Sequence, residues 1–245
     1  VLEDQVLESK KNNYLAGLIH DAQGYGLAFL DLSTGAFWLE ESASASAVEE
    51  NLARYAPTEC VVPSDHRDDP VYRSFFRPGL ASVLTGHDDW TFDTEAASDL
   101  LTRHFKVHSL DGFGLRDCPL GLRAAGAVLH YVGQALRRRV DHVRQVQVKR
   151  AADYMLLDEA TVRNLDLVDG PASVLAVLDG TRTAMGARLL RDWLVRPLLD
   201  LSRITCRHDA VQELLKKRTG LAELREALGE IRDLERLIAR LNAGT

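Results

Sequence analysis

The spacing of apolar residues changes its period near residue 150, and this change limits the folds that the chain can adopt. Before it, apolar runs of strand length at residues 14–21, 25–32 and 36–39 are separated by glycine-containing turns. Such runs predict a three-stranded antiparallel meander. From Asp153 onward the apolar residues recur at helical spacing, and no segment has the pattern of a strand. The sequence therefore predicts an α/β part over residues 1–150 and an all-α part over residues 151–245.

The rest of the first part alternates helices with short strands, as a mixed α/β layer fold does. One helix should begin with Pro119 and carry an apolar stripe from Leu122 to Leu136. Asp117 is a better cap for it than Cys118. The other expected elements are helix 46–55, strand 59–62, a broken helix near 72–76, strand 81–84, helix 94–105 and strand 143–148.

The second part is expected to consist of helices only. Thr183 can cap a helix that Pro197 stops, and Ser202 starts another. One long packed helix is predicted by apolar residues three, four and three positions apart, namely Ile231, Leu234, Ile238 and Leu241. Because this stripe runs almost to the last residue without a later partner, we expect the chain to be a piece of a longer protein.

Charge and cysteine content narrow the class of protein. A net charge of −6 argues against a dedicated nucleic-acid-binding domain, which is usually strongly basic. Cys60, Cys118 and Cys206 are scattered and are typical of reduced thiols in a cytosolic protein. No pair among the eight histidines has a metal-ligand spacing. No apolar run approaches the ~18 residues of a membrane span, so we expect a soluble, cytoplasmic protein.

Several segments, in their order and spacing, resemble the MutS family of DNA mismatch repair proteins. Asn12–Ala16 followed by Gly26–Gly35 looks like the opening of that family's connector domain, and Leu157–Leu165 resembles the beginning of its helical core. Further similar segments are 111–114, 121–126, 173–179, 183–190, 193–194 and 233–237. The resemblance covers essentially the whole chain. It implies a ribonuclease-H-like, mixed-sheet connector domain at 1–150 and the first part of the helical core at 151–245.

The resemblance also implies a role inside a larger protein. Proteins similar to MutS act as dimeric clamps that detect mispaired duplex DNA, use ATP with magnesium, and signal to the partner MutL. The family's mismatch wedge is Phe-x-Glu, and none of the seven phenylalanines here is followed by glutamate two places on. Its phosphate loop requires G-x-x-x-x-G-K-[ST], and the chain has no Gly-Lys pair. We therefore expect no catalytic, cofactor-binding or metal-binding residue here, and a scaffold that couples mismatch binding to the ATPase.

One basic segment is a candidate for contact with DNA. Residues 136–150 hold six basic side chains against one acidic side chain. Arg137, Arg138 and Arg139 are the residues expected to contact backbone phosphates. The alternative interpretation is a solvated helix end, where cations are favourable without any ligand.

One helix is a candidate for docking of MutL. In the predicted helix 94–105, Leu100, Leu101 and Phe105 share one face, and the other is more polar. The candidate docking residues are Asp99, Leu100 and Arg103. The alternative is an ordinary amphipathic helix with no partner.

Two acidic segments imitate catalytic sites. Asp158 and Glu159 follow an apolar pair, as at the end of a nucleotide-binding strand, but a helix start capped by Asp158 explains them as well. Asp31 with Glu50 or Glu95 could hold metal ions in a nuclease of ribonuclease-H-like fold. The simpler interpretation has Asp31 bonding the turn that follows it. A metal-dependent nuclease and a MutS paralogue acting in recombination are therefore the alternatives to the mismatch repair role.

Overall fold

The computed structural model describes residues 10–76 and 83–243. The chain divides into two compact units, one made mainly of Asn12–Arg150 and the other mainly of Ala151–Leu237. The first unit is mixed α/β, and the second is helical. Among the described residues, no helix is both long and apolar enough to cross a membrane.

The first unit is built on a sheet that begins with an antiparallel meander. β1 (Tyr14–Asp21), β2 (Gly24–Asp31) and β3 (Phe37–Ser42) follow one another, and β2 pairs with both neighbours. Gly35, in the second turn, has a φ of 78°, a left-handed conformation that glycine adopts without strain. The predicted three-stranded meander is confirmed.

Three parallel pairings complete the sheet. β4 (Glu59–Pro63) pairs with β1, β5 (Val83–His87) pairs with β4, and β6 (Gln147–Val148) pairs with β3. The strand order is β5-β4-β1-β2-β3-β6, and β2 alone runs against the others. The fold is thus the mixed sheet expected of a ribonuclease-H-like connector domain.

Helices cover both faces of this sheet. α1 (Ala45–Tyr55) and α2 (Pro70–Ser74) contribute to one buried cluster, whereas α3 (Thr94–Phe105) and α4 (Pro119–Gln134) contribute to the other. Successive strand residues alternate between the two clusters, because side chains of a strand point to opposite faces. Burial on both faces explains why the strands have nearly continuous apolar sequences.

A helix approaches the sheet very closely at Gly26 of β2. A Cβ atom there would lie 2.2 Å from the carbonyl carbon of Leu120 and 2.7 Å from the backbone nitrogen of Gly121. Since backbone atoms cannot turn away as a side chain can, only glycine fits. The first turn of α4 therefore lies directly against β2.

Three local predictions in this unit need correction. Cys118, and not Asp117, is the N-cap residue of α4, and it makes no side-chain cap bond. Asp117 belongs to the preceding 3₁₀ turn, while the Cys118 side chain is buried in the core, so packing outweighs capping. The strand predicted at 143–148 is reduced to β6, because Val143 and Val146 fill the core from an irregular segment. Of the strand predicted at 81–84, Ala81 and Ser82 lie outside the described residues.

The second unit is helical, as the spacing predicts. Its one β contact among the described residues is an isolated bridge between Tyr154 and Leu198. The helices that follow Ala151 along the chain are α5 (Glu159–Asn164), α6 (Val174–Leu178), α7 (Ala184–Val195), α8 (Leu201–Lys216), α9 (Arg218–Glu230) and α10 (Leu234–Ala243).

Polar caps fix the starts of several of these helices. Thr183 Oγ1 accepts the N–H of Gly186 at 3.0 Å, so its predicted cap on α7 is confirmed. The prediction that Ser202 starts α8 is wrong by one residue, because the helix begins at Leu201 and Asp200 caps it. The Asp200 carboxylate accepts the N–H of Arg203 at 3.0 Å and the Ser202 hydroxyl at 2.5 Å.

The predicted long C-terminal helix is interrupted. α9 ends at Glu230 and α10 begins at Leu234, so Ile231 belongs to neither helix. Asp233 marks the break, since its carbonyl and carboxylate accept the N–H groups of the first turn of α10. The apolar stripe is exposed, at 41%, 51%, 48% and 78% for Ile231, Leu234, Ile238 and Leu241.

Arg188 of α7 forms a buried ion-pair network with this break. Its guanidinium is 5% exposed and donates to both oxygens of Asp233, at 2.7 and 2.9 Å, and to Glu235 at 2.6 Å. Burial alone would lower the pKa of Arg188, but its bonds to Asp233 and Glu235 outweigh this and raise it. Burial likewise opposes the charge on Asp233, yet the bonds from Arg188 lower its pKa below the usual value. The network joins α7 to the start of α10.

Candidate DNA-contact and docking surfaces

The three candidate DNA-contact arginines lie directly after α4. Its last turn is closed by the N–H of Ala135 and of Leu136, both donating to the Tyr131 carbonyl. Arg137 then takes a left-handed conformation with a φ of 50°. All three arginines, Arg137, Arg138 and Arg139, are exposed, so the structure brings them together on one loop at the surface.

Their electrostatic partners differ. Arg139 pairs with Asp141 at 2.8 Å, at a site where both side chains are more than half exposed. Arg137 and Arg138 have no ion-pair partner among the described residues. Lys149 is different, because its ammonium lies 4.2 Å from the centroid of the Trp38 ring and is half-buried. The loop thus presents two unpaired guanidinium groups, whereas Lys149 stabilises the fold.

The candidate docking helix is α3, whose bounds are those predicted. Leu101 is fully buried and Leu100 is half-buried, while Asp99 and Arg103 are exposed. The Arg103 guanidinium donates to the Asp99 carbonyl at 3.3 Å, so both residues lie on one outer face of the helix. The structure therefore places all three candidate docking residues, including Leu100, within one turn of a helix at the surface.

Asp158 acts as a helix cap. Its carboxylate accepts the N–H of Thr161 at 2.6 Å at the start of α5. Bonding by the Thr161 side chain and N–H lowers the pKa of Asp158. This arrangement agrees with the capping interpretation and leaves no feature that requires a nucleotide.

Asp31 is committed to a network of turn bonds. The carboxylate is fully buried and accepts the Asn12 side-chain amide at 2.7 Å and the N–H and hydroxyl of Ser33 at 2.8 and 2.7 Å. Within the described residues, neither Glu50 nor Glu95 forms a three-member ligand group with it. The geometry supports the turn interpretation, and the nuclease alternative is not favoured.

Sequence spacing gave no indication of one pair of histidines. His87 Nε2 lies 2.9 Å from His130 Nδ1, although the residues are 43 positions apart. They meet because β5 ends beside α4. With Asp88 they form the one group of three potential metal ligands found in residues 10–76 and 83–243. The only local signal in the sequence is the adjacent His-Asp pair at the end of a strand.

Two family models match the chain in succession. The model described as MutS domain II matches residues 13–144, and the model described as MutS domain III matches residues 160–245. The first match falls on the mixed-sheet unit, and the second falls on the helices.

Curated relatives agree with these matches. The chain is 40% identical to DNA mismatch repair protein MutS of Syntrophobacter fumaroxidans, over 100% of this chain and 28% of that protein. It is 37% identical to the protein of the same name from Roseiflexus castenholzii, over 100% of this chain and 26% of that protein. The chain thus spans little more than a quarter of the length of these relatives. With both domain models matched in order along nearly all of it, the chain belongs to the MutS family of DNA mismatch repair proteins.

Proposed function

We propose that this chain is the connector and core scaffold of a mismatch-recognition DNA repair ATPase. The observation that carries the proposal is the succession of domains II and III along nearly all of the chain. The connector would comprise residues 1–150 and the first part of the helical core residues 151–245. The break between the compact units after Arg150 supports this boundary.

The scaffold is proposed to have no catalytic activity of its own. ATP and magnesium would be bound by another part of the parent protein, which would act as a homodimer on mismatched DNA in the cytoplasm. The acidic residues that imitate catalytic groups support this view, because Asp31 and Asp158 are occupied by turn and cap bonds. The segment would then act mechanically, by coupling mismatch binding to ATP turnover.

Coupling of this kind needs elements that move as rigid bodies. The Arg188 network supplies such rigidity in the second unit, because it fixes the start of α10 to α7. In the full-length protein we expect Arg188→Met to reduce the change in ATPase rate caused by mismatched DNA. ATPase activity without DNA should remain. Lys217→Met is the matched control, since its pair with Glu213 is exposed. An unchanged response to mismatched DNA in Arg188→Met would contradict the proposed coupling.

The loop after α4 is proposed to contact the DNA backbone. Arg137 and Arg138 offer guanidinium groups that can neutralise phosphates, and each neutralised phosphate releases about 0.9 counterions. Replacing Arg137, Arg138 and Arg139 by alanine should weaken DNA binding and flatten its dependence on salt, without any change in sequence preference. A triple variant of the exposed Arg67, Arg73 and Arg116 controls for net charge. Equal loss in both triple variants would argue against a specific contact by this loop.

The outer face of α3 is proposed to dock MutL. Exposed charges at Asp99 and Arg103 flank the half-buried Leu100, which gives a small apolar centre with a charged rim. Charge reversal by Asp99→Arg with Arg103→Glu should reduce cross-linking of the full-length protein to MutL. Reversal of the exposed pair Asp111–Arg116 is the control. Cross-linking that survives reversal on α3 would exclude this face.

A further inference from the structure

His87, Asp88 and His130 bring together three side chains that can bind a metal ion. His87 is the last residue of β5, Asp88 follows it directly, and His130 lies on α4. Their ligand atoms all lie within 4.8 Å of one another, and the two facing imidazole nitrogens are 2.9 Å apart. Two imidazoles and a carboxylate form a ligand set that Zn²⁺ accepts.

Neighbouring rings hold the two imidazoles in place. Trp90 packs edge-on against His130 with centroids 4.8 Å apart, and Tyr131 packs in the same way on His87 at 5.2 Å. The Tyr131 hydroxyl donates to Glu59 Oε1 at 2.5 Å, which fixes α4 beside β4. The nitrogens are therefore preoriented by packing, as metal ligands in proteins usually are.

Asp88 completes the group from the solvent side. Its backbone is fixed, because its carbonyl accepts the N–H of Thr91 at 3.0 Å and the Thr91 hydroxyl at 2.6 Å. Its carboxylate is exposed, and no hydrogen bond to another described residue occupies it. The side chain can therefore rotate toward an ion held by the two histidines.

Burial favours the neutral form of both histidines. Burial lowers the pKa of His87, and His130 lowers it further, although Asp88 acts in the opposite direction. Burial also lowers the pKa of His130. Neutral imidazole is the form that binds metals. A tautomer shift in the ring that donates the hydrogen bond frees both facing nitrogens.

We propose that His87 Nε2, His130 Nδ1 and an Asp88 carboxylate oxygen bind one Zn²⁺ ion. With Zn–N distances of about 2.0–2.1 Å, tetrahedral coordination separates two nitrogens by about 3.3 Å. The histidine pair needs to open only slightly to reach that separation. Water fills the fourth position, and the ion links the end of the edge strand β5 to α4. If the two histidines served only to pack the fold, the Asp88 carboxylate would have no role beside them.

Zinc titration of the full chain tests the site. Every protein would carry Cys206→Ser, because Cys206 is exposed and a free thiol can bind zinc without the proposed site. Isothermal titration calorimetry gives the stoichiometry and the Kd. Titration with Co²⁺ reports tetrahedral coordination through visible absorption bands. The variants are Asp88→Asn and His130→Gln, and the matched control is His108→Gln, which changes an exposed histidine of the same unit.

We expect one Zn²⁺ per chain, a higher Tm when zinc is bound, and binding at least about tenfold weaker in each variant. His108→Gln should bind as the parent does. Because Asp88 is exposed, Asp88→Asn should stay folded and decides the question even if His130→Gln unfolds the chain. Failure of the parent to bind zinc saturably at one ion per chain overturns the proposal. So does binding that Asp88→Asn leaves unchanged.

Discussion

The buried carboxylate of Asp31 shows how one residue determines a turn. Its oxygens accept the Asn12 amide and both donors of Ser33, and its own carbonyl accepts the N–H groups of Thr34 and Gly35. The side chain thus organises the connection between β2 and β3. A buried acceptor of this kind is costly to remove, because its donors stay behind without partners.

Replacing Asp31 by alanine should therefore destabilise the chain by about 1.5–3 kcal/mol. Urea unfolding followed by circular dichroism measures this change. Asp68→Ala is the matched control, because the pair of Asp68 with Arg73 is exposed and should contribute at most about 1 kcal/mol. Equal destabilisation by both substitutions would show that the turn bonds of Asp31 contribute no more to stability than an exposed ion pair does.

At this scale the sequence predicts what depends on near neighbours. The cap at Thr183 and the turn at Asp31 involve groups two or three residues away, so residue type and position suffice. The preference for Asp117 over Cys118 failed because burial in the core, a long-range property, decides which residue starts α4. The meeting of His87 with His130 was invisible for the same reason.

At the scale of elements, the contact between β2 and α4 depends on the absence of a side chain at Gly26. A Cβ atom would meet backbone atoms of Leu120 at 2.2 and 2.3 Å. Gly133, near the end of α4, has no such neighbour within 4 Å. The two glycines therefore separate the effect of close packing from the general effect of glycine on backbone entropy.

Gly26→Ala and Gly133→Ala should change stability in opposite directions. Overpacking against α4 should cost about 1–3 kcal/mol in Gly26→Ala. Gly133→Ala should stabilise by about 0.5–1 kcal/mol, because alanine favours the helix. Thermal unfolding of both variants measures the difference. A Gly26→Ala variant as stable as the parent would contradict the close packing of α4 on β2, and a destabilised Gly133→Ala variant would contradict the effect of backbone entropy expected there.

The buried pairing of Arg188 with Asp233 makes stability depend on pH. The pKa of Asp233 is lowered in the folded chain, so its contribution is complete above the unfolded value of about 3.9 and is lost as the pH falls through the folded pKa. Arg188→Met should cost about 3–5 kcal/mol at neutral pH, because the half-buried Asp233 loses the cation that donates to both of its oxygens and keeps only the more distant Arg236, at 3.8 Å. Urea unfolding from about pH 7 to about pH 2, a range that passes well below the unfolded value of about 3.9, should show a flatter profile for the variant. If the stability of the variant changed with pH as that of the parent does, the pH dependence could not come from the pair of Arg188 with Asp233.

Helices and strands were predicted well where a local sequence pattern defines them. They were predicted poorly where their length depends on residues that are distant in the sequence. The bounds of α3 and the start of α4 follow from helical spacing and from Pro119. The length of β6 depends on how many of its residues pair with β3. The alternation of valine and polar residues from Val143 to Val148 carries no information about that pairing. At the break before α10, Asp233 is bound by Arg188, which lies 45 residues away in the sequence.

For the whole chain, the order of patterns was more informative than any single motif. Strand-length runs followed only by helical spacing predicted the two-part fold, and short similar segments in the right order predicted the family. The loop arginines and the face of α3 are different. Surface position follows from the fold, but the identity of a partner depends on chemistry outside this chain, so these roles remain predictions.

The chain by itself should neither hydrolyse ATP nor distinguish mismatched from paired DNA. It corresponds to MutS domains II and III and contains no Gly-Lys pair for a phosphate loop and no Phe-x-Glu segment. The first expectation is checked by measuring phosphate release from ATP by the chain, by its Asp158→Ala variant and by the full-length protein. Competition between mismatched and paired duplexes checks the second. Because Asp158 caps α5, its replacement should alter stability only. ATP turnover above a protein-free blank that disappears in Asp158→Ala would show instead that the acidic start of α5 belongs to a nucleotide site.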